Sequence, residues 1–382
     1  MKPYIYSILF FIGISFSYAQ TEEILLKETF QATKNSVLNL DLDNVNVVFE
    51  ESFDDKIHFD YAMIFGNYSK KKRELIINQS KINTSQKGDL INLKVINSEF
   101  LGINYQYLPN FNKDYKSDSL LISLKDFIKK EIKKEHTYKT KDSILKEIIL
   151  SEGSIVADFF KTNLMKHKNN EKLKNKKVIV KLFSIKVPKY VKIRIKSLQT
   201  DINFTFDITE PLVINNFKGF LKFKNILSYD NKISSNNGIF QAHSFRKGTI
   251  NFRDMHKVLI GAISNTAFET ETSNIQIGEI GENVKFNDFS SKLHLYNFNE
   301  NFTKFNLKGD YTELNFYKVK DTNFSMDVFG HNTTLNMINV KTTFGVSDDK
   351  EMTKILEKRK KDDKPFLGNI EVALKNGVLN IN

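Results

Sequence analysis

From about residue 198 onward, hydrophobic and polar positions alternate in short bursts that copy one another. SSKLHLYNF starts at Ser290, YTELNFYKV at Tyr311 and NTTLNMINV at Asn332, each 21 residues after the last. The strand ahead of each keeps that offset, in Val284/Phe286, Phe305/Leu307 and Met326/Val328. Looser copies come earlier at variable spacing: TDINF (Thr200), GFLKF (Gly219), GTINF (Gly248) and SNIQI (Ser273). Side chains alternate faces along a strand. Pairs such as Ile202/Phe204, Leu293/Leu295 and Leu314/Phe316 should therefore share an apolar side. The residue between the two members of each pair, at Asn203, Lys222, Asn251, Gln276, His294, Asn315 and Asn336, should share a polar side. Stacked repeat units of this kind bury a continuous core. The pattern predicts a mainly β fold, a parallel β-solenoid of about 21 residues per rung over 178–382. Alternation alone leaves strand direction open, so an up-and-down sheet fits it too.

Upstream, the N-terminal β region (20–112) has the same kind of bursts. Examples are Val45/Val47/Phe49, Ile57/Phe59/Tyr61, Leu75-Ile76-Ile77 and Leu90–Val95, all read as strands. The period changes over 113–177. Leu120, Leu124, Ile128 and Ile132 recur every four residues, which predicts an amphipathic helix over roughly 117–136. A second helical pattern carries Ile155, Val156, Phe159, Phe160 and Leu164, and the whole reads as a helical insertion into a β protein. The default is that its apolar stripes pack on each other or on the β body, since helices of this length are marginal alone.

Charge sharpens this division. Between Lys113 and Lys196 there are 23 Lys plus Arg against 10 Asp plus Glu, a local +13 in a chain of net +12. Lys125, Lys129, Lys130, Lys133 and Lys134 form one solvated face, a candidate contact for anionic envelope polymers or lipid headgroups. The start, MKPYIYSILFFIGISFSYAQ, has a basic residue, a short apolar run and small residues at Ser17 and Ala19. That is a secretory leader (1–19) cleaved after Ala19, too short in its apolar part for a spanning helix. The expected location is the periplasm, the outer membrane's vicinity or the outside. Cys is absent, which rules out disulfides and thiolate metal sites.

The stretch VPKYVKIRIKSLQTDINF and the S/T-x-I/L-x-I/L/F repeats after it resemble the putative-adhesin family of exported bacterial β-repeat proteins. The opening KETFQATKNSVLNLDLDNVNVVFEES and the closing GNIEVALKNGVLNIN do so as well. The resemblance spans roughly 24–60 and 178–382. It implies a β-solenoid outside the cytoplasm and supplies no catalytic residues. The chain departs from the pattern at Gln199-Thr200, where the family has a glycine, and in its basic insertion.

The chain offers few residues for catalysis. Glycoside hydrolysis needs two carboxylates about 5–10 Å apart. Asp201 and Glu313, on one flanking column, stand about five rungs apart, and Lys292 with Glu313 reads as a cross-rung ion pair. The seven His (58, 136, 167, 243, 256, 294 and 331) form no metal-ligand spacing. Asp41-Leu42-Asp43 lacks the rest of a calcium loop, and Glu50-Glu51 with Asp54-Asp55 reads as a solvated turn. No catalytic, metal or cofactor motif is legible, and nucleic acid is not an expected partner. The candidate interaction face is Asn203, Asn251, Gln276, His294, Asn315 and Asn336, with Tyr296 and Tyr317 stacked nearby. Its amides serve either as a hydrogen-bonding ladder or as a surface for sugars or another envelope protein. The favoured reading is a non-enzymatic binding or adhesion-type scaffold. The alternatives are a polysaccharide-active β-helix enzyme and an outer-membrane β-barrel.

Overall fold

The computed structural model describes residues 21–66, 68–97, 178–317, 324–337, 343–346, 352–359 and 368–381. The expected leader and the basic insertion lie outside them. The described residues form 23 strands and one helix, and every strand joins one hydrogen-bonded sheet. The mainly β expectation therefore holds.

The N-terminal part comprises β1 (Thr21–Gln31), β2 (Val37–Asp43), β3 (Asn46–Glu51), β4 (Lys56–Gly66), α1 (Lys70–Asn78), β5 (Ser80–Lys87), β6 (Leu90–Asn97) and β7 (Val178–Val187). The strand expected at Leu75–Ile77 is instead the second half of α1. The run KKKREL supplies good helix formers behind Ser69, whose extended backbone starts the helix. Ile76 is buried while Leu75 is exposed, so adjacent apolar residues fall on different sides of a helix.

Each rung consists of two strand segments joined at a corner. β2 and β3 meet at Asn44, and β8 (Lys192–Leu198) and β9 (Asp201–Phe204) meet at Gln199. β10 (Leu212–Ile226), β11 (Asn231–Arg253) and β12 (Lys257–Glu271) run through their corners as continuous strands. These three are far longer than the five-residue cores that the repeat suggests. Beyond them come β13 (Asn274–Ile280), β14 (Val284–Phe289), β15 (Lys292–Leu295), β16 (Lys304–Asp310) and β17 (Glu313–Phe316). Neighbouring rungs pair in parallel, for example β2 on β8, β8 on β10, β13 on β15 and β15 on β17. This excludes an up-and-down arrangement for the repeat. Phe rings from successive rungs stack inside, as Phe204 on Phe223 (5.2 Å) and Phe268 on Phe286 (4.3 Å).

The corners explain the Ser/Thr/Gly that opens each repeat. Gln199, Lys218, Asn237, Asp254, Thr272, Ser290 and Tyr311 all take left-handed backbone, with φ between 46° and 60°. The peptide N–H at the corner continues the ladder, as Gln199 to Phe217 O (2.8 Å) and Ser290 to Asp310 O (2.8 Å) show. The next residue turns inward beneath it. Thr200 and Thr312 are fully buried there, and the Thr200 and Ser273 hydroxyls donate to the carbonyl two residues back, both at 2.8 Å. At Gly219 a Cβ would lie 2.1 Å from Thr200 O, so only glycine fits this corner.

Copy order differs from the expected one. The structure places GIFQA (Gly238) and the strand start at Lys257 between GFLKF and SNIQI on the second segment. GTINF belongs to the first segment, where it pairs with the C-terminal half of β12. The end of the stack is also rearranged. It contains β18 (Phe324–His331), β19 (Thr334–Met337), β20 (Thr343–Val346), β21 (Met352–Arg359), β22 (Gly368–Lys375) and β23 (Val378–Ile381). β22 and β23 lie between β16/β17 and β18/β19, parallel to both. The three 21-residue copies are therefore not three consecutive rungs. Antiparallel strands close the two ends: β1 on β4, β4 on β7 and β5 on β6 at one, β21 on β18 and β20 on β21 at the other.

Candidate interaction face

The outward positions of the second segment can be followed rung by rung. One column runs Val48, Asn203, Lys222, Gln241, Leu259, Gln276, His294, Asn315, Asn380 and Asn336. It collects Asn203, Gln276, His294, Asn315 and Asn336 of the expected face. Asn251 is absent from it, because GTINF lies on the first segment, where Asn251 faces Glu269. The sequence reading missed Gln241, Leu259 and Asn380. Asn380 was detectable in the closing NGVLNI, which matches the other rungs.

Several of these amides are engaged by one another. Asn336 Nδ2 donates to Asn380 Oδ1, and Asn380 Nδ2 to Asn315 Oδ1, both at 2.8 Å. Asn315 is buried and also donates to Leu293 O and Glu313 Oε1. This is a ladder that stabilises the stack. Tyr296 and Tyr317 stack at 4.7 Å with planes 10° apart, and His294 Nδ1 lies 2.7 Å from the Tyr317 hydroxyl. Tyr296 is only 5% exposed, so it is no free platform for a ligand.

Lys292 and Glu313 form the expected ion pair at 2.9 Å. The flanking column passes from Asp201 through Phe220, Ile239, Lys257, Asn274 and Lys292 to Glu313. The two carboxylates are thus six steps apart, about 29 Å at about 4.8 Å per rung. They cannot act on one bond. At the Glu50–Asp55 turn, Asp54 accepts from Ser52 Oγ (2.7 Å) and lies 2.8 Å from His58 Nε2, a local hydrogen-bonded cluster. Among the described residues no group of three or more His, Asp or Glu is placed to hold a metal ion.

Asp201 is the most perturbed carboxyl on this side. Burial pushes it up from 3.8 to about 7, against the opposing pull of the Phe220 N–H that its Oδ1 accepts at 2.9 Å. Between those values the folded chain holds more protons than the unfolded one. Stability therefore falls as pH rises through this window and stays lower above it. Asp201→Asn keeps the acceptor and removes the charge. It is expected to raise stability at pH 8 by roughly 2 kcal/mol, about half of what the shift gives at about 1.4 kcal/mol per unit, because water still reaches the side chain. At pH 4 the two proteins should melt together. Denaturant melts at both pH values check this, and an equal effect at both would contradict it.

The outer side of the first segment is different. A shallow groove of about 410 Å³ there is lined by Asn287, Lys308, Asp310, Phe329, Ala373 and Lys375 among others. Phe329 is 41% exposed in it. At the adjoining corner Phe289 (48%) and Tyr311 (59%) meet edge to face at 6.0 Å. Asp288 also borders the groove, but it is buried. It accepts from the Thr270 and Thr312 hydroxyls and from Ser291 N (3.1 Å), which makes it a corner brace.

No protein-family model matches the chain, and no curated protein does. Among solved structures, the chain is similar to one described as a "putative cell adhesion protein" from Clostridium sporogenes. The match has 11% identity, covers 95% of this chain and 99% of that one, and has a TM-score of 0.19.

Proposed function

We propose that this chain is an exported β-solenoid of the cell envelope or its surroundings, a non-catalytic scaffold whose first-segment groove binds an extended polysaccharide. The observation that carries the reading is Phe329, exposed in a groove with amide and charged groups, next to the exposed Phe289–Tyr311 pair at the adjoining corner. Sugars offer apolar C–H faces and hydroxyls together, and a site for them needs apolar surface with a few convergent polar groups. Parallel pairing of successive rungs supports the solenoid. It argues against an outer-membrane barrel, whose strands are antiparallel. The hydrogen-bonded state of Asp288 argues against its serving as one of a catalytic carboxylate pair.

Replacing Tyr311 and Phe329 together by Ala should weaken retention on purified envelope polysaccharide at least tenfold. Melting should change little, since exposed substitutions usually cost under about 0.5 kcal/mol. Unchanged retention would refute the groove. Export rests on the leader-like first 19 residues. Mass spectrometry of the native protein is expected to find Gln20 at the N-terminus; an intact Met1 in the cytoplasmic fraction would refute export.

A further inference from the structure

The second segment carries apolar side chains on the side turned away from the core. Val258, Leu259 and Ile260 are consecutive in one strand, and all three are fully buried. Val258 and Ile260 belong to the main core, whereas Leu259 belongs to a separate cluster with Tyr296 and Tyr317. Phe220 is likewise only 5% exposed, beside Leu221, which is in the main core. A sheet whose outer side faced water would leave such positions open.

These residues trace a diagonal band. Phe220 and the half-buried Ile239 sit on the flanking column, Leu259 on the central one, and Tyr296 and Tyr317 follow the ends of β15 and β17. Phe220 to Tyr317 is five rung steps, about 24 Å. Next to Leu259 in register lies Gln241, 4% exposed, whose Oε1 has no donor among the described residues. A buried acceptor without a donor is costly, so the surface calls for a polar group from whatever covers it.

We propose that the cover is the chain's own 113–177, with the Leu120/Leu124/Ile128/Ile132 stripe laid along this band. The length fits, because a 20-residue helix spans about 30 Å. The connections fit as well. The chain leaves the described fold at Asn97 and returns at Val178, and both β6 and β7 lie at the N-terminal end of the stack. The band begins on the third second-segment rung, counting from β3 through β9, within reach of that exit. The amphipathic pattern fixes the orientation. With the apolar stripe on the band, the Lys125, Lys129, Lys130, Lys133 and Lys134 face of the same amphipathic pattern points away into solvent.

The test uses the full chain with a benzophenone amino acid in place of Tyr296. Illumination followed by peptide mass spectrometry should give an intramolecular adduct within 113–177. Adducts confined to residues outside 113–177, a cross-linked dimer, or no adduct would each overturn the proposal. A second measurement uses the chain's lack of cysteine. With Leu259→Cys in place, Leu124→Asp plus Ile128→Asp should speed thiol labelling at least tenfold. Labelling of Leu293→Cys, in the main core, should stay slow in the same background. Unchanged labelling at position 259 would overturn the proposal, and so would faster labelling at both positions.

Discussion

Removing residues 368–382 is expected to unravel the far end of the stack. β22 and β23 look expendable in sequence, as the last copy of the motif. In the fold they are an inner rung, paired in register with β16/β17 on one side and β18/β19 on the other. They bury Ile370, Val372, Leu374, Leu379 and Ile381, all 3% exposed or less. At about 1.5–3 kcal/mol per side chain this amounts to roughly 7–15 kcal/mol, the size of a whole domain's stability. Their loss also opens two ladder edges. The truncated chain should melt more than about 15 °C lower, at about 2–4 °C per kcal/mol, and lose 324–337 to protease first. Deleting β1 should cost far less, because it buries Leu26 alone. A stack able to re-pair β18 directly on β16 would melt nearly as the full chain does, and that result would contradict the account.

Leu314→Asp is the single substitution expected to do most harm. Leu314 is fully buried, in register with Leu293 below and Leu379 above. A carboxylate there has no partner, and an unpaired buried charge costs several kcal/mol. Asn274→Asp is the control, since Asn274 is exposed and lies in register with Lys292. It should change stability by under about 0.5 kcal/mol. Asn315, adjacent to Leu314 and expected from alternation to be exposed, is buried within the amide ladder. Asn315→Asp should therefore be intermediate, because it loses both donors while keeping the acceptor for Asn380. Matching melts for Leu314→Asp and Asn274→Asp would show that the assigned faces are wrong.

The alternation made the inward set legible: Ile202/Phe204, Leu293/Leu295 and Leu314/Phe316 are all buried. Three features escaped it for physical reasons. The rungs at Phe240-Gln-Ala242 and Val258-Leu-Ile260 were missed because their outward or inward residues break the polar/apolar rhythm, Leu259 being covered and Ala242 small. The corners were invisible because left-handed backbone is taken by Gln199, Lys218 and Tyr311 as well as by Asn, and none of these marks a turn. The insertion of β22/β23 was invisible because every parallel rung offers the same donors, acceptors and apolar teeth. Pairing order among equivalent rungs is decided by the ends and connections, which local pattern does not encode. As for the site, the polar column could be read rung by rung. The groove could not, since it joins Asn287, Lys308, Ala373 and Phe329 through that same non-sequential order.

Rung order is also the most direct test of the architecture. The chain has no cysteine, so pairs can be introduced cleanly. Lys308, Ala373 and Phe329 occupy one outward column on successive strands. Lys308→Cys with Ala373→Cys is expected to form an intramolecular disulfide under mild oxidation, being one rung apart at about 4.8 Å. Lys308→Cys with Phe329→Cys, two rungs and about 10 Å apart, should remain reduced, because disulfides need Cα atoms within about 7 Å. Linkage of 308 to 329 without linkage of 308 to 373 would contradict the stack described here.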